Sequence, residues 1–243
     1  MREKGARVKG LIVAAGLGSR LRSIAPLKPL AKVNGVPLIE SIILAARQAG
    51  LSEIVVVTGY LGDQLEAFLK HRAAGFGVPI RTVRAADWTL ANGHSVAAAE
   101  AELGDSFVLM MADHLFDPTL LRDLLAAGPI TDGVVLAIDR RLDNPLVDLD
   151  DVTRVATDAA GRITRIGKMI EPYDAFDTGV FLASRALIVA IRADIAAGGQ
   201  GSISAGMTRL AQDGRAGTFD IGERFWLDVD DATAWQHAER LMA

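Results

Sequence analysis

The sequence contains no cysteine. That excludes disulfides, thiol nucleophiles and thiolate metal sites, and it fits a reducing compartment. Positive charge is not in excess either: 26 Lys and Arg stand against 30 Asp and Glu, a net charge of −4. There is thus no electrostatic case for nucleic acid or an anionic membrane as partner. No apolar run approaches membrane-spanning length. The first nine residues are polar and basic with no apolar signal core behind them. A soluble cytoplasmic protein without membrane insertion is expected. His71, His94 and His237 fall on different segments with no His-x₃-His spacing, so no zinc site is proposed. Internal repeats, low-complexity tracts and linkers are missing as well, and residues 1–243 read as a single domain.

What is present is a core. Half of the residues are hydrophobic, enough for a chain of this length to bury a substantial interior. In the first half, buried strands alternate with helices: Leu11 to Ala15, a helix opened by Val36-Pro37-Leu38-Ile39, and the strand Glu53 to Thr58. Next come a helix from Asp63 to His71, a shorter strand Val78 to Val83, an alanine-rich helix ending near Leu103, and the apolar strand Phe107 to Ala112. Such alternation predicts a doubly wound, mostly parallel sheet with ligands at the carboxyl ends of its strands. The second half reads as a strand from Gly133 to Ile138, a loop to Asp151, and a hairpin of Val152–Thr157 with Arg162–Gly167. It continues with a strand over 176–183, a helix from Leu187 to Ala196, a second helix capped by Ser202 or Ser204, and Trp226 to Asp231 before a last helix.

The chain is organised around Leu11-Ile12-Val13-Ala14-Ala15-Gly16-Leu17-Gly18-Ser19-Arg20-Leu21-Arg22, followed by Leu27-Lys28-Pro29-Leu30. Gly16 and Gly18 let the backbone turn sharply after the strand and let a ligand come close. Backbone N–H groups, Arg20 and Arg22, and a lysine restricted by the following proline together suit a polyphosphate. A dinucleotide loop fits poorly, because Leu21 stands where the third glycine belongs and no acidic residue ends the next strand. A Walker A loop fails for want of Gly-Lys-Ser/Thr.

Carboxylates supply the other half of the chemistry. Asp113 follows six apolar residues, which suits either a turn cap or a rigid metal ligand at the sheet's active edge. Asp228 and Asp230 alternate with Leu227 and Val229, so in a strand they share one face, as metal ligands or as a solvated edge. His114, beside Asp113, suits an orienting role and is assigned no chemistry. Lys168 ends the second hairpin strand, ahead of Asp177-Thr178-Gly179. It is either simply exposed or a contact for a second ligand.

The combination G-x-G-S-R-L-R with L-K-P-L resembles the signature of the sugar-nucleotidyltransferase superfamily, with Leu27 in place of the usual first proline of P-K-P. The resemblance continues through Asn92-Gly93-His94-Ser95, Ala112-Asp113-His114, Asp177-Thr178-Gly179-Val180-Phe181 and Trp226-Leu227-Asp228-Val229-Asp230. Together these look most like CTP:inositol-1-phosphate cytidylyltransferases.

The resemblance implies a Rossmann-like, GT-A-type α/β fold with a mixed, mostly parallel sheet and a small β-hairpin subregion. It implies that Ala14, Ala15, Gly16 and Gly18 hold the nucleotide through their backbone, with Asn92, Gly93 and Ser95 near the base and ribose. Arg20 and Lys28 would bind the triphosphate, and Asp113 and Asp228 would hold Mg²⁺ with Asp230 supporting or joining them. Lys168 would bind the acceptor phosphate, while Asp177, Thr178 and Gly179 line its hydroxyls. CTP and a phosphorylated small molecule are the expected partners, with a homodimer left open. In the inositol enzymes this domain is often joined to a membrane synthase, which is not expected here. Alternatives are a sugar-1-phosphate nucleotidyltransferase, a phosphocholine or phosphonate cytidylyltransferase and, in a different class, a non-catalytic nucleotide sensor. The sensor is disfavoured because Arg20, Lys28 and the metal aspartates are all retained.

Overall fold

The computed structural model describes residues 8–242, so most of the basic start lies outside the described residues. Strand β1 (Lys9–Ala14) is buried from Gly10 onward. It is followed by the two-residue strands β2 (Lys32–Val33) and β3 (Val36–Pro37) and then α1 (Leu38–Gln48). Val36 and Pro37 pair back onto Val33 and Lys32, and Pro37 is at the same time the N-cap from which α1 opens at Leu38. Next come β4 (Ile54–Thr58), α2 (Gly62–Phe76), β5 (Ile80–Arg84), α3 (Asn92–Ala98) and β6 (Ser106–Met111).

The short β7 (His114–Phe116), α4 (Pro118–Ala126) and β8 (Val134–Asp139) follow. A hairpin of β9 (Arg154–Thr157) and β10 (Ile163–Gly167) leads to the long β11 (Ala175–Ser184). The chain ends with α5 (Arg185–Ala196), α6 (Ile203–Gln212), β12 (Ala216–Asp220), β13 (Trp226–Asp228) and α7 (Ala232–Leu241). Ser202 caps α6, its hydroxyl accepting from the Ala205 N–H at 3.0 Å. The short β7 and β12 carry little periodicity, whereas α4, not among the expected helices, does have helix signals: the Asp117 cap, Pro118 in its first turn and the apolar face of Leu120, Leu121 and Leu124.

One sheet carries the order β10-β9-β11-β6-β1-β4-β5, with β8 joining β11 to β12. Strands β6, β1, β4 and β5 are parallel, and β11 runs against β6 and β8. The doubly wound, mixed and mostly parallel sheet expected from sequence is thus present. Alternation along β1 feeds two cores. Leu11 and Val13 join Val96, Ile191 and Met207 of α3, α5 and α6, while Ile12 and Ala14 join Ile39, Leu65 and Leu121 of α1, α2 and α4. A third cluster of Leu21, Val33, Leu38, Leu115, Leu227 and Ala238 seats α7 against the β7–β13 pair. Among the described residues no helix is long and apolar enough to cross a membrane.

Candidate active site

The parallel strands deliver their carboxyl ends to one edge of the sheet. Beyond β1 the chain passes Gly18, at φ 60°, into a single 3₁₀ turn (Ser19–Leu21) that carries Arg20. A Cβ on Gly18 would lie 2.5 Å from the Lys28 Cβ, so this glycine is required both for the left-handed turn and for the passage of the lysine beneath it. Lys28 opens a second 3₁₀ turn (Lys28–Leu30) behind an extended Leu27. From the end of β6 comes Asp113. The antiparallel β7–β13 pair then sets Asp228 directly opposite His114.

These side chains form one charge cluster. Lys28 Nζ lies 2.7 Å from Asp113 Oδ2 and 3.8 Å from Asp228 Oδ1. His114 Nδ1 lies 2.8 Å from Asp113 Oδ1 and 3.7 Å from Asp228 Oδ1. The imidazole stacks on Trp226 at 6.2 Å between centroids. On its other side is Gly179, at φ 74°, where a Cβ would come within 2.5 Å of the ring. Burial pushes the Asp113 carboxyl up, but Lys28 and His114 outweigh it and hold the group well below the usual carboxylate range. His114 is opposed by burial and favoured by Asp228 and Asp113, which raise it to about 9. Burial and the neighbouring Asp228 push Asp230 up to about 7. Burial, eased by the Gly179 N–H, leaves Asp177 at about 6.

A cavity of about 520 Å³ opens over this cluster. Arg20, Lys28, Asp113, Asp228 and Asp230 line it together with Asn92, Lys168, Asp177 and Gly179. Apolar cover comes from Met111, Leu146, Val147, Val152 and Phe181.

Among the other residues singled out from sequence, Ala14, Ala15, Gly16, Gly18, Gly93, Ser95 and Thr178 lie outside the lining. Ala14 and Ala15 are buried, and the Ala15 carbonyl accepts from the Tyr60 N–H at 2.9 Å. Asn92 Oδ1 accepts from the Ile203 N–H at 2.9 Å, and Gly93 packs against the Gly201 carbonyl. Ser95 is buried. Thr178 is fully buried, and its hydroxyl donates to the Ala137 carbonyl at 2.8 Å, holding β11 to β8. Asp230 lies past the end of β13. Its nearness to Asp228 therefore comes from the chain's turn toward α7 and not from strand alternation.

The donors present suit a hard divalent cation. Among the described residues two groups offer atoms within 4.8 Å of one another, Asp113–His114–Asp228 and Asp151–Asp228–Asp230, sharing Asp228. Asp228 Oδ1 is sealed from solvent and accepts no hydrogen bond, a buried acceptor that a cation would satisfy.

Two supporting features have little signal in the sequence. Asp139, fully buried at the end of β8, accepts from Trp226 Nε1 at 2.7 Å, Arg141 Nε at 2.8 Å and Asn144 Nδ2 at 2.8 Å. It thereby fixes the indole on which His114 rests. Asp151 sits between Arg20 and Lys168. It ends a loop run of acidic residues with no periodicity to place it.

The MobA-like NTP transferase domain family matches residues 10–200. The chain is 37% identical over 227 residues to the bifunctional IPC transferase and DIPP synthase of Rubrobacter xylanophilus, covering 92% of this chain and 49% of that one. It is 36% identical over 177 residues to the bifunctional protein GlmU of Ralstonia nicotianae, covering 69% of this chain and 34% of that one. The chain thus spans about half or less of the curated relatives it matches. Among solved structures, the inositol-1-phosphate CTP transferase from T. maritima superposes with a TM-score of 0.82 at 24% identity, covering 98% of this chain and 97% of that one. A UDP-glucose pyrophosphorylase complexed with UDP-glucose gives 0.78 at 18%, covering 98% of each chain. At those identities the structural likenesses speak to the fold.

Proposed function

The chain belongs to the MobA-like NTP transferase family, and from that footing we propose that it is a cytidylyltransferase joining CTP to inositol 1-phosphate, with residues 1–243 working as one nucleotidyltransferase domain. The observation that carries this reading is the meeting of three cations, Arg20, Lys28 and Lys168, with three carboxylates, Asp113, Asp228 and Asp230, around one cavity. A reaction between two phosphate-bearing substrates needs such an arrangement. The choice of CTP and inositol 1-phosphate is supported by the relatives named IPC transferase and by the Asp177-Thr178-Gly179 and Trp226-Leu227-Asp228-Val229-Asp230 motifs.

A phosphate oxygen of the acceptor attacks the α-phosphorus of CTP in line. The new phosphoanhydride bond forms as the bond to the β-phosphate oxygen breaks, and pyrophosphate leaves with that electron pair. The acceptor phosphate is already an anion near neutral pH, so no side chain has to remove a proton. The obstacles are repulsion between two anions and the charge gathering on the departing pyrophosphate. Arg20 and Lys28 meet the triphosphate, Lys168 meets the acceptor phosphate, and the rigid strand ends hold them in place, so the rate comes from positioning and electrostatics. The turn after β1 at Gly16 and Gly18, with Asn92 in the cavity wall, receives the nucleotide, while Asp177 and Gly179 face the acceptor. Held by Asp113 and Asp228 with Asp230 beside them, Mg²⁺ when bound supplies Lewis-acid charge to phosphate oxygens.

The test is pyrophosphate release with Mg²⁺ across four nucleoside triphosphates against inositol 1-phosphate, phosphocholine, 2-aminoethylphosphonate and sugar 1-phosphates. Turnover confined to CTP with inositol 1-phosphate is expected. Strong turnover elsewhere on the grid moves the acceptor or base, and nucleotide binding without turnover favours a sensor.

A further inference from the structure

Arg20 and Lys168 reach the cavity from opposite halves of the chain, one from the turn after β1 and the other from the end of β10. Both end on the same carboxylate. Arg20 Nη2 donates to Asp151 Oδ2 at 2.6 Å, and Lys168 Nζ donates to Asp151 Oδ1. Arg20 also pairs with Asp230, whereas among the described residues the one ion pair of Lys168 is with Asp151. We propose that Asp151 is a positioning residue for the transfer reaction: it holds the cation for the nucleotide and the cation for the acceptor at one point, so that the two phosphates are brought together. The inference rests on the cytidylyltransferase reading and adds to it a residue that acts through the two cations.

Three observations support this. First, the place of Asp151 is set by its own loop. The Asp151 N–H donates to the Asp148 carbonyl at 3.2 Å, and the Asp148 carboxylate accepts from the Asp150 N–H at 3.0 Å. Arg154 Nη2 holds the Leu149 carbonyl at 3.2 Å. Arg154 is itself fixed by Glu171 at 2.7 Å and lies 4.8 Å from the Tyr173 ring centroid. The backbone that carries Asp151 is therefore placed by its own loop, independently of the two cations its carboxylate meets.

Second, neither cation is used up. A guanidinium has five N–H donors and an ammonium three, so each keeps donors for a phosphate while bound to Asp151. Third, both side chains are half-exposed. A long lysine stem without a partner samples many rotamers. Two cations brought to one point also repel unless an anion sits between them.

Removing a negative charge from a phosphate-binding cavity should by itself strengthen anion binding. A positioning role predicts the opposite sign, which makes the test discriminating. With CTP and inositol 1-phosphate, Asp151→Ala is expected to lower kcat/KM for the acceptor about tenfold or more, while in a Lys168→Ala background the same change costs less than about threefold. Asp151→Asn, which keeps an acceptor oxygen without the charge, should fall between wild type and Asp151→Ala. Equal losses in the two backgrounds, or a gain in acceptor affinity, would overturn the proposal. A gain would mark Asp151 as a placeholder that phosphate displaces. Thermal melts identify any variant that fails to fold, in which case Asp151→Asn carries the cycle.

If the wild type does not turn over this pair, the cytidylyltransferase reading fails on its own. Asp151 is then tested by calorimetric binding of inorganic pyrophosphate, alone and in an Arg20→Ala background. Weaker binding in Asp151→Ala, dependent on Arg20, supports the positioning role; equal or tighter binding sinks it.

Discussion

Lys28 Nζ lies 2.7 Å from Asp113 Oδ2, so the lysine restricted by Pro29 and the aspartate at the end of β6 form a partly buried ion pair at the centre of the charge cluster. Burial opposes the charge on Lys28, but Asp113 and Asp228 more than compensate and raise its pKa. Asp113→Asn keeps the shape and a hydrogen-bond acceptor for Lys28 while removing the charge. It is expected to lower turnover by at least about a hundredfold with the fold retained by circular dichroism. Near-normal turnover in the folded variant would remove Asp113 from the mechanism.

Lys168 lines the cavity, and in the proposed reaction it meets the acceptor phosphate. Lys168→Ala is expected to raise the acceptor KM about tenfold, the equivalent of about 1.4 kcal/mol, and to lower kcat, with CTP binding little changed in a calorimetric titration. Were CTP binding the main loss, Lys168 would belong to the nucleotide.

Gly18 has φ 60°, and Lys28 passes 2.5 Å from where its Cβ would be. Gly18→Ala imposes a left-handed alanine, about 1–2 kcal/mol, and also pushes the lysine from its place. The expected result is a small drop in Tm with a disproportionate loss of turnover, more than about tenfold. A Tm change without loss of turnover would show that Lys28 need not sit where this structure holds it.

Asp139 links stability to pH. Burial pushes its carboxyl up, but donation from Arg141, Trp226 and Asn144 more than offsets this and leaves it below its ordinary value of 3.8. A carboxylate lowered on folding contributes fully above the unfolded-state value, and that contribution is lost as pH falls through the folded value. Urea unfolding should therefore show stability declining below about pH 4, with less decline in Asp139→Asn. Near pH 7 that variant should be less stable by about 2 kcal/mol, since the partly exposed Arg141 and the buried Trp226 N–H lose a charged acceptor. Unchanged unfolding midpoints at pH 7 would contradict this role.

Much of this protein was legible in its sequence because the relevant physics is local. The apolar runs Leu11–Ala15, Ile54–Thr58 and Phe107–Ala112 each read as a buried parallel strand. A ligand-bearing loop follows from a strand that ends in Gly16 and Gly18. The glycine loop, Asn92-Gly93 and Asp113 could all be placed at strand ends or in the loops beyond them on that basis. Pairing across the cavity depends instead on long-range geometry. Asp228 meets Asp113 because β13 adds to β7 in one register, and a three-residue strand has too little periodicity to announce itself. Thr178, beside Asp177 in the chain, turns away from the cavity because alternate residues of a strand face opposite sides. Asp151 has no local signature at all. Its role exists only where the turn after β1, the end of β10 and the 148–151 loop converge, and convergence of distant segments is a property of the packed chain.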